Sequence, residues 1–264
     1  GNFWNKSNTL PITQYYACEL DEQLPNRYYG GAQDNGTSRT LTGIENDYDQ
    51  IFGGDGFYVV VDPQNSDNIY LEFQNGNIFR STDGGKTWEK TLYINHNTGA
   101  VQVEFDPNDP QVLFADMWEH QEGPWENAKF LGPNSGLYKS MDGGNTWQQI
   151  TAGLPTAEQG LGRIGIAIAP SNSKRMYATV DAKENGGIYK SNDAGESWSM
   201  VSSDYRLWGR GSDFAEIKVH PKDENTIFVG NIASYKSSDG GKNWTSLKGA
   251  PGGDDYHRIW INPL

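Results

Sequence analysis

Cysteine is almost absent from this chain of 264 residues; Cys18 stands alone. An internal disulfide is therefore excluded, as is any metal site built from several thiolates. Basic residues are also short, 21 Lys and Arg against 34 Asp and Glu, for a net charge of −13. Nucleic acid and anionic membrane surfaces are bound by basic faces, so neither is expected as a partner. No apolar run approaches the ~18 residues of a membrane span, and no segment reads convincingly as a helix. The four histidines, His96, His120, His220 and His257, are scattered without a second ligand at helical or hairpin spacing. No metal is expected, and with no glycine-rich loop leading from a strand into a helix, no nucleotide or other cofactor is expected either.

Glycine and aromatics are plentiful: 32 Gly, 9 Trp, 14 Tyr and 10 Phe. Glycine at that level, against a usual ~7%, suits short strands joined by many tight turns. One eight-residue pattern then organises the chain. Ser-Thr-Asp-Gly-Gly-Lys-Thr-Trp at 81–88 recurs without gaps as Ser-Met-Asp-Gly-Gly-Asn-Thr-Trp at 140–147, Ser-Asn-Asp-Ala-Gly-Glu-Ser-Trp at 191–198 and Ser-Ser-Asp-Gly-Gly-Lys-Asn-Trp at 237–244. The aspartates Asp83, Asp142, Asp193 and Asp239 suit turns because a carboxylate accepts hydrogen bonds from turn amides. Glycine supplies positive φ, and Trp88, Trp147, Trp198 and Trp244 cover the hairpin from the next strand. These eight residues are therefore read as structural.

A second marker runs beside the first. Extended stretches end in X-Pro at Pro63, Pro107, Pro170, Pro221 and Pro263, and the first four of these are followed by strand-like runs at 69–73, 112–114, 175–180 and 226–229. One repeat thus reads as four antiparallel strands, which predicts an all-β fold, a β-propeller of four-stranded blades. The expected blades are 13–50, 51–92, 97–152, 160–203 and 212–248, with a split blade formed by 254–264 and 1–10. Because a strand opens just before residue 264 without the rest of its blade, the chain is expected to be part of a larger propeller; a ring closed by a blade shared between the termini is the other reading.

The Ser-x-Asp-x-Gly-x-Thr-Trp element resembles the Asp-box (BNR) repeat of sialidase-like and sortilin-like propellers. The stretches 29–36, 53–57, 162–170, 187–191 and 257–263 resemble large secreted bacterial BNR-repeat glycosyl hydrolases. That resemblance implies the propeller fold and an extracellular or periplasmic location. It says little about activity, because the repeat is a structural device shared by unrelated functions.

In such a blade the 1→2 and 3→4 turns leave on one face, and the 4→1 and 2→3 loops on the other. The boxes are 3→4 turns, so chemistry is expected on the opposite face, where residues entering each first strand converge. These are Gln14 and Tyr15; Asp55 and Phe57; Gly99 and Gln102; Arg163; Asp213; and Asp254, Asp255, His257 and Arg258. Asp55 and the pair Asp254–Asp255 each follow two glycines, as ordinary acidic turns do and as carboxylates at a channel mouth would. A long 2→3 loop carries Trp118, Glu119, His120 and Trp125, residue types that stack on sugar rings and bond their edges, or that pack against a neighbouring blade. Trp208 and Arg210 belong to a 4→1 loop.

Two functions follow. The first is a non-catalytic module that binds a polysaccharide or an extracellular protein on this face. The alternative is a glycoside hydrolase, whose two carboxyls are expected to be Asp55 with Asp254 or Asp255, roughly 5–9.5 Å apart. A sialidase fits less well, since Arg163, Arg210 and Arg258 replace its arginine triad only loosely. The xyloglucanase likeness is read as confined to the boxes.

Overall fold

The computed structural model of the chain describes residues 13–73, 76–121, 123, 128–248 and 255–263. Among these, five four-stranded antiparallel sheets follow one another, each with its strands in chain order. The first holds β1 (Ala17–Leu20), β2 (Tyr28–Ala32), β3 (Gly36–Thr40) and β4 (Asp49–Phe52); the second holds β5 (Gly56–Asp62), β6 (Asn65–Phe73), β7 (Asn77–Ser81) and β8 (Glu89–Leu92). The third is β9 (Thr98–Asp106), β10 (Asp109–Glu119), β11 (Gly136–Ser140) and β12 (Gln148–Ile150). The fourth is β13 (Leu161–Ile168), β14 (Met176–Ala182), β15 (Gly187–Ser191) and β16 (Ser199–Ser202); the fifth is β17 (Glu216–His220), β18 (Asp223–Gly230), β19 (Ser234–Ser237) and β20 (Thr245–Lys248). The fold is an all-β propeller of Asp-box blades.

The helical turns named among the described residues are one turn of 3₁₀ (Ala157–Gln159) and one of α-helix, α1 (Tyr205–Trp208). Ile51 and Phe52, read from the sequence as opening a blade, instead close the first one: Phe52 pairs with Thr37. Its ring packs on Phe73, Phe79 and Trp88, so its apolar character serves a contact between sheets and not a new strand. Of the expected split blade, residues 1–10 lie outside the described residues and 255–263 form no strand.

The chain divides into two compact units, residues 1–74 with 79–89 and residues 75–78 with 90–264. In the first, Tyr29, Val59, Val61, Ile69 and Leu71 form the core, flanked by Ile51, Phe52 and Trp88. In the second, the fourth sheet is covered on both faces by its neighbours. That is why Met176–Ala182 is buried almost throughout instead of alternating. Ile164, Ile166, Met176, Val180 and Leu137 are fully buried on one side of the fourth sheet, and Tyr177, Ile188, Ile217 and Ile227 on the other. Burial of side chains this size supplies roughly 1.5–3 kcal/mol each.

The four boxes close their turns alike. Ser81 donates to Asp83 (2.8 Å) and accepts from the Gly85 amide (2.8 Å), while Asp83 accepts from the Thr87 amide (2.9 Å) and hydroxyl (2.6 Å). Trp88 Nε1 donates to the Gly85 carbonyl (3.2 Å). Asp142 accepts likewise from Thr146, Asp193 from Ser197, and Asp239 from Asn243. Each box also donates one amide to the start of its second strand, Gly84 to Asp67, Gly143 to Gln111, Ala194 to Lys174 and Gly240 to Asn225. The 3→4 turns and the beginnings of the second strands therefore share one end of each sheet, which leaves the other end for the loops described next.

Candidate functional site

Antiparallel pairing fixes which residues meet at that other end. Thr98 pairs with Glu119, Leu161 with Ala182, and Glu216 with Gly230. The start of each first strand thus lies beside the end of the second, where an inner strand opens from a 4→1 loop.

In the second unit the loop after β16 and the segment 255–259 come together. Asp204 caps α1 by accepting from the Arg206 amide (3.1 Å) and pairs with the Arg206 guanidinium. Arg210, at φ 63°, bonds Asp213 (2.7 Å) and Asp255 (3.4 Å), and Asp255 is itself at φ 62°. The Arg210 guanidinium lies 5.0 Å from the centre of the Phe214 ring, which meets His257 at 4.8 Å. The segment is tied to the blade where the Tyr256 amide donates to Asn231 O (2.8 Å) and the Ile259 amide to Glu216 (2.9 Å), with Arg258 3.4 Å from the same carboxylate. Five expected residues, Arg210, Asp213, Asp255, His257 and Arg258, thereby form one polar cluster. Trp208 stands edge-on to the exposed Tyr205 ring, 4.9 Å away.

Of the two readings open for the long 2→3 loop, sugar stacking or packing against a neighbouring blade, Trp118 takes the second: it is 4% exposed. His120 stacks on its indole at 3.9 Å, the Arg163 guanidinium lies 5.7 Å from it, and its Nε1 donates to Phe130 O at 2.8 Å. Glu119 accepts from the amide and side chain of Asn134, holding the loop's return. The packing reading applies to Trp118, because Arg163 arrives from the next blade to cover it. Trp125 and Asp254 lie outside the described residues.

In the first unit Asp55 accepts from the Asp34 amide at 2.7 Å, and Phe57 stacks flat against Tyr16, ring centres 5.3 Å apart. Tyr15 packs on Gly30, where any Cβ would stand 2.4 Å from its ring. Asp55 and Asp255, expected as one carboxyl pair, fall in different units.

The sequence reading missed Asp181. It is the next-to-last residue of β14, one position beyond the expected strand 175–180, and it reads as the start of an ordinary polar turn. Burial pushes its carboxyl up to about 6. Sequence offers one faint signal, an acid placed directly after the expected strand 175–180, at the end where the loops converge. Deeper still, Asp116 is fully buried and accepts from the Ile164 amide at 3.2 Å, a bond between blades. Between the inner strands, Lys218 on β17 reaches Glu104 on β9 at 3.4 Å, and Gln102 bridges Glu104 (2.8 Å) and both backbone groups of Ile166 (3.0 Å). Among the described residues no three of His, Cys, Asp and Glu stand together as metal ligands.

Sheets of this order, closed by Asp boxes, define the chain as a BNR-type β-propeller. It belongs to the Sortilin-Vps10 family: the profile described as "Sortilin, neurotensin receptor 3" matches residues 32–154 and 135–250. Similar curated proteins are xyloglucanases. Xyloglucanase Xgh74A of Acetivibrio thermocellus is 26% identical over 255 residues, 82% of this chain and 29% of its own length. A xyloglucanase of a Paenibacillus species is 24% identical over 76% of this chain and 22% of its own, and a probable oligoxyloglucan-reducing end-specific xyloglucanase of Neosartorya fischeri 28% over 58% and 18%. The xyloglucanase likeness is thus not confined to the boxes. The chain spans between 18% and 29% of the length of these relatives. Solved structures agree on the fold. An ancestral GH74 enzyme superposes with a TM-score of 0.74 at 18% identity, covering 100% of this chain and 35% of that one; the GH74 xyloglucanase of Xanthomonas campestris gives 0.67 at 16%, covering 92% and 38%.

Proposed function

We propose that this chain is propeller from a glycoside hydrolase that cleaves a xyloglucan-type polysaccharide in an extracellular or periplasmic setting. The observation that carries the reading is the similarity to bacterial xyloglucanases over 76% and 82% of the chain. It favours catalysis over the purely binding module that the sequence alone suggested first. Cleavage of a glycosidic bond takes one carboxyl that protonates the leaving oxygen and a second that attacks or activates water. The Arg210 cluster supplies carboxylates held in place by ion pairs, and the exposed Tyr205 beside Trp208 offers an aromatic face to a sugar ring.

The test is incubation of the chain with xyloglucan, an unsubstituted β-glucan and starch, with soluble oligosaccharides read by mass spectrometry. Release from xyloglucan supports the proposal. Retention on xyloglucan in affinity electrophoresis without any release would replace it with a binding module.

A further inference from the structure

We infer that Asp181 is the proton-donating carboxyl of this propeller, an assignment that rests on the hydrolase reading above. Its position comes from the blade. The Leu161–Ala182 pairing sets it beside the opening of β13, at the end of the sheet where the inner strands begin. The carboxyl lies in a slot walled by two glycines from separate elements. A Cβ at Gly162, on β13, would stand 2.9 Å from Asp181 Oδ2; one at Gly211, in the loop before β17, would stand 2.6 Å from the same oxygen. Leu131 and the Phe130 carbonyl, from the long loop of the preceding blade, close the Gly162 side. Only hydrogen at those two positions leaves room for the acid, and the residue stays partly open to solvent.

The charged groups near the slot are engaged elsewhere. Arg163, next to Gly162, lies over Trp118, and Arg210, next to Gly211, is bonded to Asp213 and Asp255. Lys183, beyond the end of β14, is exposed, and Leu131 is apolar. Among the described residues none of them pairs with Asp181, so burial goes uncompensated. An ordinary aspartate, near 3.9, has lost its proton well below neutrality; at about 6 this one still holds it in mildly acidic solution.

The chemistry balances without another reactant. The Asp181 proton passes to the glycosidic oxygen as the bond from the anomeric carbon to that oxygen breaks. Water forms the new bond at the anomeric carbon and gives its proton to a second, ionised carboxylate, for which Asp213 and Asp255, both paired with Arg210 beside Gly211, are the candidates. Asp181, left ionised, recovers its proton from solvent.

The experiment compares wild type, Asp181→Asn and Gly211→Ala on xyloglucan and on a 2,4-dinitrophenyl β-glycoside, whose leaving group departs without protonation. Asp181→Asn is expected to lose roughly 10²–10⁴-fold on the polysaccharide and less than about tenfold on the aryl glycoside. The alkaline limb of the kcat/KM profile, with its midpoint near 6 in wild type, should disappear. Gly211→Ala keeps the acid but crowds it, so it should show the same selective loss in weaker form. Equal losses on both substrates, unchanged rates, or an alkaline limb that persists in Asp181→Asn would overturn the assignment while leaving the hydrolase reading intact. A wild type that cleaves neither substrate would overturn both. Thermal unfolding of each variant confirms that rates are compared on folded protein.

Discussion

Three of the boxes place glycine after the aspartate, at φ 70°, 65° and 72°, and the fourth places Ala194 at φ 59°. An L-residue in that region is disfavoured by about 1–2 kcal/mol, because its Cβ crowds the following carbonyl. Ala194→Gly is therefore expected to stabilise the chain by about 1 kcal/mol in urea unfolding, the backbone entropy of glycine offsetting part of the gain. Ser191, two residues before Asp193, is 1% exposed and both donates to that aspartate (2.7 Å) and accepts from the Gly195 amide (2.9 Å). Ser191→Ala leaves a buried amide without its acceptor and should cost about 1–3 kcal/mol in the same assay. Asp181 behaves in the opposite sense. Its folded pKa is raised, so its contribution to stability is fully present below the unfolded value near 3.9 and is lost as pH rises through about 6. Asp181→Asn should flatten that decline between pH 4 and 7 in a Tm series.

At the scale of the element, box aspartates titrate low. Thr87 holds Asp83 well below the usual carboxylate range, Thr146 and Ser197 hold Asp142 and Asp193 at about 2, and Asn243 does the same for Asp239. Depressed values contribute stability that is complete above about 3.9 and lost as pH falls through about 2. Acidification across that window should loosen the box hairpins, read by the fluorescence of their tryptophans, whereas the chain at pH 5 should remain as it is at pH 7. These turns were legible in the sequence because the residues that make them are adjacent: serine, aspartate, glycine and tryptophan act on one another within eight positions. Strands 69–73, 112–114, 175–180 and 226–229 were legible from their β-branched and aromatic runs, though each extends beyond what the pattern marked. For Trp118 the sequence left stacking on sugar and packing on a blade both open, and Asp181 was not legible. What decides each is a residue from another element, Arg163 for the indole, and Gly162 with Gly211 for the carboxyl.

At the scale of the molecule, burial between blades sets the stability, and polar links tie the inner strands. The Glu104–Lys218 pair joins β9 of the third sheet to β17 of the fifth, past the fourth, and Glu104 holds the Lys218 ammonium above its usual value. Lys218→Met should destabilise by about 1–2 kcal/mol, less than the 3–5 kcal/mol of a fully buried pair broken on one side, because both side chains keep some contact with water. Chemical denaturation at two salt concentrations checks it: the difference between wild type and variant should shrink as salt rises. Blade contact is tightest at Gly165, where a Cβ would fall 1.6 Å from the Ala215 carbonyl oxygen. No side chain fits there unless β13 and the chain entering β17 move apart.

Hydrogen bonds within a box never span more than four residues, from Ser81 to Gly85 or Asp83 to Thr87. That sets an order of events when the chain folds. Closing so short a loop is fast, on the order of tens of nanoseconds for about ten residues. Joining β9 to β17 must wait for more than a hundred residues to be brought together, the kind of distant contact that slows β proteins. Outer hairpins can therefore form and re-form many times before the inner strands dock, and the boxes serve as ready-made nuclei from which each of the four boxed blades is completed inward.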